Sequence, residues 1–240
     1  MATGVKNIGI TVGVVKEINE QLSHLLKYAF EDYVSLSNSL GNFYNKLKEF
    51  YNDGGAFIDK SKLEALLESL NQIIVDLQFH DIIRQKLEHI EEIHATLLKE
   101  LESNVSDINK TKYAVILPEV CRLNVAQLQF ISEEYQSHSA SIKQALRKGV
   151  GDRVSSLESF VFDFSNTFNH TDSFSDTIGN IINSLKMVGE DVIEERNDQF
   201  FGKVVDMKSL YSMRTEREIF NKVFGLTEEE PENDDDIELF

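Results

Sequence analysis

Apolar residues in this chain recur at every third or fourth position over stretches far longer than an ordinary helix, and little interrupts them. The first such stripe runs Val15, Ile18, Leu22, Leu25, Ala29, Leu36, Leu40, Phe43, Leu47 and Phe50. That heptad-like spacing predicts a helix about 50 Å long at roughly 1.5 Å per residue. Helix breakers are scarce: two prolines, Pro118 and Pro231, and 12 glycines in 240 residues. A β-sandwich needs many turns, so this shortage disfavours one. The fold class read from the sequence is all-α: an elongated antiparallel bundle of long heptad-patterned helices followed by a disordered acidic C-terminal tail.

The few breakers fall where helices would end. Asn52-Asp53-Gly54-Gly55 stops the first helix, because Gly accepts the left-handed backbone of a helix stop. Ser61-Lys62-Leu63-Glu64 has capping-box spacing and starts a second helix at Lys62, which runs to about Glu102. A third carries Ile116, Val120, Leu123, Leu128, Ile131, Tyr135, Ile142 and Leu146, with Pro118 expected in its first turn or two. Gly149 to Asp152 breaks it, and a fourth is expected from near Ser155, with Val154, Leu157, Val161, Phe164, Phe168, Ile178, Ile182 and Leu185 as its apolar face. A shorter fifth helix is expected between Met207 and Phe224, as an amphipathic charged run that packs back on the bundle or binds a partner.

These boundaries divide the chain into a flexible N-terminus at 1–13, a four-long-helix bundle at 14–190, a connecting segment with a short helix at 191–225, and an acidic tail at 226–240 with an apolar C-terminal anchor. Heptad stripes of this length serve an intramolecular bundle and a homodimer equally well. Leu77-Gln78-Phe79 is echoed by Leu128-Gln129-Phe130, with Gln85 and Gln136 in the same register, as a duplicated hairpin would give.

The formal charge of −17 opposes phosphate-backbone binding, so no nucleic-acid partner is expected. One cysteine, Cys121, provides neither a disulfide framework nor a redox pair, which fits a cytoplasmic setting and a small core residue. The opening MATGVKNIGITVGVV lacks the basic start of a secretory leader, and no window approaches eighteen apolar residues, so neither leader nor membrane span is expected.

Chemistry concentrates in the second helix. On a wheel at about 100° per residue, Leu63, Leu67, Leu70, Ile74 and Leu77 cluster towards Asp81, whereas Phe79, Ile82, Ile83, Ile90, Ile93, Leu97 and Leu101 lie opposite. The buried face is therefore expected to switch between Leu77 and Phe79. Asp81 and Gln85, one turn apart, then point away from the downstream core as a polar pair. A carboxylate there anchors a cation on a docking protein and an amide orients a water, while an ordinary solvated helix face has the same spacing.

Phe79-His80-Asp81-Ile82-Ile83-Arg84-Gln85 resembles the signature of the CheZ family of chemotaxis phosphatases, with His80 in place of the family's usual Gln. Asp234-Asp235-Asp236-Ile237-Glu238-Leu239-Phe240 resembles the acidic, apolar-ended peptide with which that family tethers the response regulator CheY. The resemblance implies an enzyme, a protein phosphatase, whose Asp81 engages a lysine of a CheY-like regulator and whose Gln85 orients the water attacking its aspartyl phosphate. It implies partner binding through Asp236, Ile237, Leu239 and Phe240. No cofactor is expected on this chain itself, with Mg²⁺ expected on the regulator. The alternative is a non-catalytic helical adaptor that localises a regulator through its tail.

Other candidates are bland. Glu91-Glu92-Ile93-His94 has ExxH spacing but lacks the second ExxH of a di-metal bundle. Glu20 with His24, Asp76 with His80, and Glu134 with His138 are carboxylate–imidazole neighbours of a kind common on exposed helices. No metal site is expected from them.

Overall fold

The computed structural model describes residues 8–52, 60–103, 109–150, 171–190 and 207–226. They are helical throughout apart from short caps, and the fold is all-α. Helix α1 spans Ile8–Asn52, α2 Lys60–Ser103, α3 Asn109–Val150 and α4 Thr171–Glu190. A 3₁₀ turn at Met207–Leu210 precedes the short α5, Arg214–Phe224. α1 and α3 each pack on both α2 and α4, and α5 packs on α3.

Side-chain contacts give the register. Asp76 meets His138 and Ser141, and Glu68 meets Lys148, so α2 and α3 run antiparallel. Gln136 reaches Ser175, while Gly189 lies beside Cys121, which makes α3 and α4 antiparallel as well. The core follows the heptad stripes: Val15, Ile18, Leu22 and Leu25 from α1 close on Ile83, Leu87, Ile90 and Ile93 from α2. α3 supplies Leu123, Leu128, Ile131 and Tyr135 to the same core, and α4 supplies Phe174, Ile178, Ile181 and Leu185. Among the described residues no helix is long and apolar enough to cross a membrane.

Several boundaries differ from the sequence reading. α1 begins at Ile8, inside the stretch expected to be a flexible terminus. α2 begins at Lys60, so Ser61 lies within the helix rather than capping it. α3 begins nine residues before Pro118, which removes an amide from the helix interior instead of its first turns. The expected fifth helix is two pieces, parted at Tyr211 to Met213. The expected start of the fourth helix, with Val154, Leu157, Val161, Phe164 and Phe168, lies outside the described residues.

The α2 stripe refines the expected switch of face: Leu70 and Leu77 are buried towards Asp81, and Ile83, Ile90, Ile93 and Leu97 are buried on the other side, as expected. Leu70, Ile73, Leu77, His80, Ile83, Leu87, Ile90, Ile93 and Leu97 are all buried, in steps of three and four that average less than one helical turn, so the buried face moves round the helix gradually and not at a single point. Ile74, expected inside, is 45 % exposed. The stripe passes through polar residues, Asp76 and His80, which hydrophobicity alone does not place inside. Asp76 is sustained by His138 and Ser141 of the neighbouring α3, which one helix's pattern does not contain.

α5 is amphipathic, with Glu216, Phe220, Asn221 and Phe224 buried. Glu216, in its first turn, accepts the Met213 N–H at 3.2 Å, which satisfies one orphan amide of the helix start. Gly225, at φ 65°, ends it in the left-handed conformation that disfavours a Cβ, and the Leu226 N–H donates to the Asn221 carbonyl at 2.9 Å.

Burial lowers the basicity of two imidazoles: His80 and His94 are both pushed down from 6.5 to about 4. Each is neutral in the folded state while the unfolded chain protonates near 6.5. Their contribution to stability is therefore complete above about pH 6.5 and is lost as pH falls towards 4. The thermal midpoint is expected to drop across that window. His94→Leu, which cannot protonate, is expected to flatten part of the drop in scanning calorimetry at stepped pH.

Candidate functional site: the outward face of helix α2

Asp81 and Gln85 project from α2 on the side away from its buried stripe, and both are partly exposed. The Gln85 amide nitrogen donates to Asp81 Oδ2 at 3.0 Å. Arg84 Nε donates to Asp81 Oδ1 at 2.9 Å, and Arg84 also pairs with Glu88. The hydrogen bond to Asp81 raises the Arg84 guanidinium above its ordinary value, with the neighbouring carboxylates adding to it. The structure thus brings the two sequence-selected residues together in one bonded row along the helix.

This row constrains chemistry. Two of the roughly four lone-pair sites of the Asp81 carboxylate are engaged, leaving acceptor capacity for an incoming cation. With its nitrogen held by Asp81, the Gln85 amide keeps its oxygen and a second N–H for another group. Asp81 is 37 % exposed, so an entering side chain reaches it without unfolding the helix. The row lies on an open helix surface. Nearby, a shallow depression of about 510 Å³ runs past Glu88, Glu91, Glu92, Ala95, Thr96 and Lys99. Such a face suits a macromolecular surface better than a small molecule, which binds in concave, largely enclosing sites.

Behind the row lies a buried polar network that sequence reasoning missed. Asp76 is 2 % exposed and accepts from His138 Nδ1 at 2.8 Å, Ser141 Oγ at 2.7 Å and Gln72 Nε2 at 3.1 Å. The His138 ring stacks on Phe79 with centroids 3.6 Å apart, and His80 meets the edge of Tyr135, which stacks on Phe174 of α4. Ser141 and His138 both bond the same carboxylate, so the serine is oriented towards Asp76 and not activated as a nucleophile. Asp76 was paired in sequence with His80, its neighbour one turn on. Its hydrogen-bonding imidazole comes from α3 instead. The signal lay in the antiparallel register of two long helices, which a single-helix wheel does not reveal.

A second group joins α2 to α5. His89, one turn beyond Gln85, places Nδ1 2.9 and 3.0 Å from the two carboxylate oxygens of Glu216, and Glu216 is 1 % exposed. Gln127 of α3 donates to the Glu216 carbonyl at 3.1 Å. Lys86 is buried with its ammonium 4.3 Å from the centroid of the Phe130 ring. Burial lowers the Lys86 pKa, while Glu134 and Glu216 act in the opposite direction.

The remaining candidates separate cleanly. Glu91 accepts a hydrogen bond from Ser23 of α1 at 2.6 Å and His94 is fully buried, so the ExxH pair is spent on packing. Among the described residues no group of three or more His, Cys, Asp or Glu is arranged to hold a metal ion. Cys121 is buried and its thiol is pushed up to about 12, which keeps it protonated. The tail residues Asp236, Ile237, Leu239 and Phe240 lie outside the described residues. Comparison of the chain with protein-family models, curated proteins and solved structures finds no match.

Two carboxylates five residues apart therefore do different work, and stability separates them. Asp76→Ala strands His138 and Ser141 at a buried interface and is expected to cost about 3–5 kcal/mol. Asp81→Ala, on a solvated face, is expected to cost within about 1 kcal/mol. Urea titrations of the two variants measure the difference.

Proposed function

We propose that the chain is a CheZ-like protein phosphatase that accelerates hydrolysis of the aspartyl phosphate of a CheY-like response regulator in chemotaxis-type signalling, in a cytoplasmic setting. The observation that carries the reading is the Asp81–Gln85 hydrogen bond on an outward, partly exposed face of a firmly packed helix. An amide held by its nitrogen has its oxygen direction fixed, and positioning is what an attacking water requires. Asp81 engages a lysine of the regulator, sharing it with or displacing Arg84, and Gln85 orients the water in line with phosphorus. The water oxygen bonds to phosphorus as the bond to the aspartyl oxygen breaks, which releases inorganic phosphate and restores the regulator's carboxylate. Mg²⁺ on the regulator neutralises charge on the phosphoryl group. The tail, through Asp236, Ile237, Leu239 and Phe240, raises the effective concentration of the regulator near α2.

The second reading is a non-catalytic adaptor that localises the regulator. It is favoured by one observation: both Asp81 oxygens are already engaged within α2.

The deciding measurement is the decay of phosphorylated regulator with Mg²⁺, with and without substoichiometric protein. Turnover is expected, and Gln85→Ala is expected to lower it on the order of 10²-fold while regulator binding is retained. Binding without acceleration establishes the adaptor. Deleting Ile237 to Phe240 is expected to raise the half-saturating regulator concentration by roughly tenfold with little change in maximal rate. Identical saturation curves for the two chains would remove the tether.

A further inference from the structure

The contact between α5 and α2 has the composition of a joint that opens. Its centre is an ion pair between a buried carboxylate and an imidazole whose side chain is still 21 % exposed. Around it the seat is mixed: Tyr211, Phe220 and Phe224 join the hydrophobic core, and polar atoms are buried among them. Gln127 Oε1, the Tyr211 hydroxyl and Asn221 Oδ1 are buried without hydrogen-bond partners among the described residues. Such atoms regain water when the segment lifts away, which offsets part of the cost of exposing its apolar side chains. The segment also ends neatly, with Gly225 capping a helix of 11 residues that buries only one narrow face.

We propose that residues 207–226 form a latch over the α2–α3 face, closed by the His89–Glu216 ion pair and released when that pair loses its charge. The latch stands on the geometry of this joint and is independent of the phosphatase reading. Closed, it sets Glu216 against His89 and Lys86, the two cationic side chains flanking the turn that follows Gln85. Open, it withdraws that carboxylate and leaves the Lys86 ammonium without its Glu216 counter-charge beside a neutral His89 on the α2 face.

The charges that bear on the pair come from three helices. Glu88 and Glu92 of α2 face His89 along with Glu216 of α5, and together they hold its imidazole above the ordinary value of 6.5, the Glu216 hydrogen bond first among them. Glu134 of α3 faces Lys86, and Glu216 acts on the buried Tyr211 hydroxyl. A raised imidazole pKa means that the pair is fully formed below about pH 6.5 and weakens as pH rises through the higher folded-state value. Loss of the imidazolium leaves a buried carboxylate poorly compensated, which favours release of the helix that carries it.

Hydrogen exchange read by mass spectrometry on the full chain tests this, with protection normalised to the intrinsic rate at each pH. Between about pH 6 and about pH 9, protection of the 214–224 amides is expected to fall by roughly three- to tenfold while α3 amides keep theirs. His89→Gln, which retains an N–H donor but does not titrate, is expected to show the same protection of α5 at both pH values. Equal protection of wild-type α5 at both pH values overturns the latch without any variant. So does an undiminished fall in His89→Gln, or a parallel loss across α3 that marks global opening.

Discussion

The buried carboxylate of Asp76 is the interaction on which the arrangement of α2 and α3 depends. Its donors come from both helices, Gln72 on one and His138 and Ser141 on the other. Sliding one helix by a turn would separate the charge from His138 and Ser141 and leave it in an apolar seam. Apolar stripes tolerate such slips, because one leucine layer replaces another at small cost; a buried carboxylate with directed partners does not. The register of the α2–α3 pair therefore rests on a polar contact inside a hydrophobic bundle. The outward row of Asp81, Arg84 and Gln85 inherits its placement from it.

The same contact explains which parts of the molecule were legible in the sequence. Helix existence, length and order could be read because stripes such as Val15 to Phe43 in α1 are nearly uninterrupted and because Asn52 and Gly149 stand close to real ends. Upstream α2 was legible in part: Leu70 and Leu77 are buried as expected, while Asp76 and His80 occupy buried positions that a hydrophobic wheel treats as solvent. Ile74 was drawn inward by its chemistry and lies outward, while Ile73 takes the core position. Pro118 was drawn to a helix start by its usual preference, and tertiary packing overrides that preference within α3.

The site was legible in part. Asp81 and Gln85 were selected as a pair on the free side of α2 and are joined by a hydrogen bond. His89 and Glu216 were invisible as a pair, because 127 residues separate them and each alone is an ordinary charged position on an amphipathic helix. The echo between Leu77-Gln78-Phe79 and Leu128-Gln129-Phe130 contained more information than its length suggested. Phe79 is covered by His138 of α3, and Phe130 by Lys86 of α2, so each aromatic is capped from the facing helix. The near-symmetry belongs to the interface and could be recognised only after the two helices were set antiparallel.

The long sequence interval closed by α5 has a consequence for the order in which the chain acquires its structure. α1 with α2, α2 with α3 and α3 with α4 are neighbours along the chain, so their pairings close over short sequence separations. α5 recognises a surface composed from α2 and α3 together, through His89 and Gln127, and that surface does not exist until those two helices have met. Its docking belongs at the end of folding. During synthesis, the C-terminal segment leaves the ribosome after α2 and α3 and finds its seat already assembled.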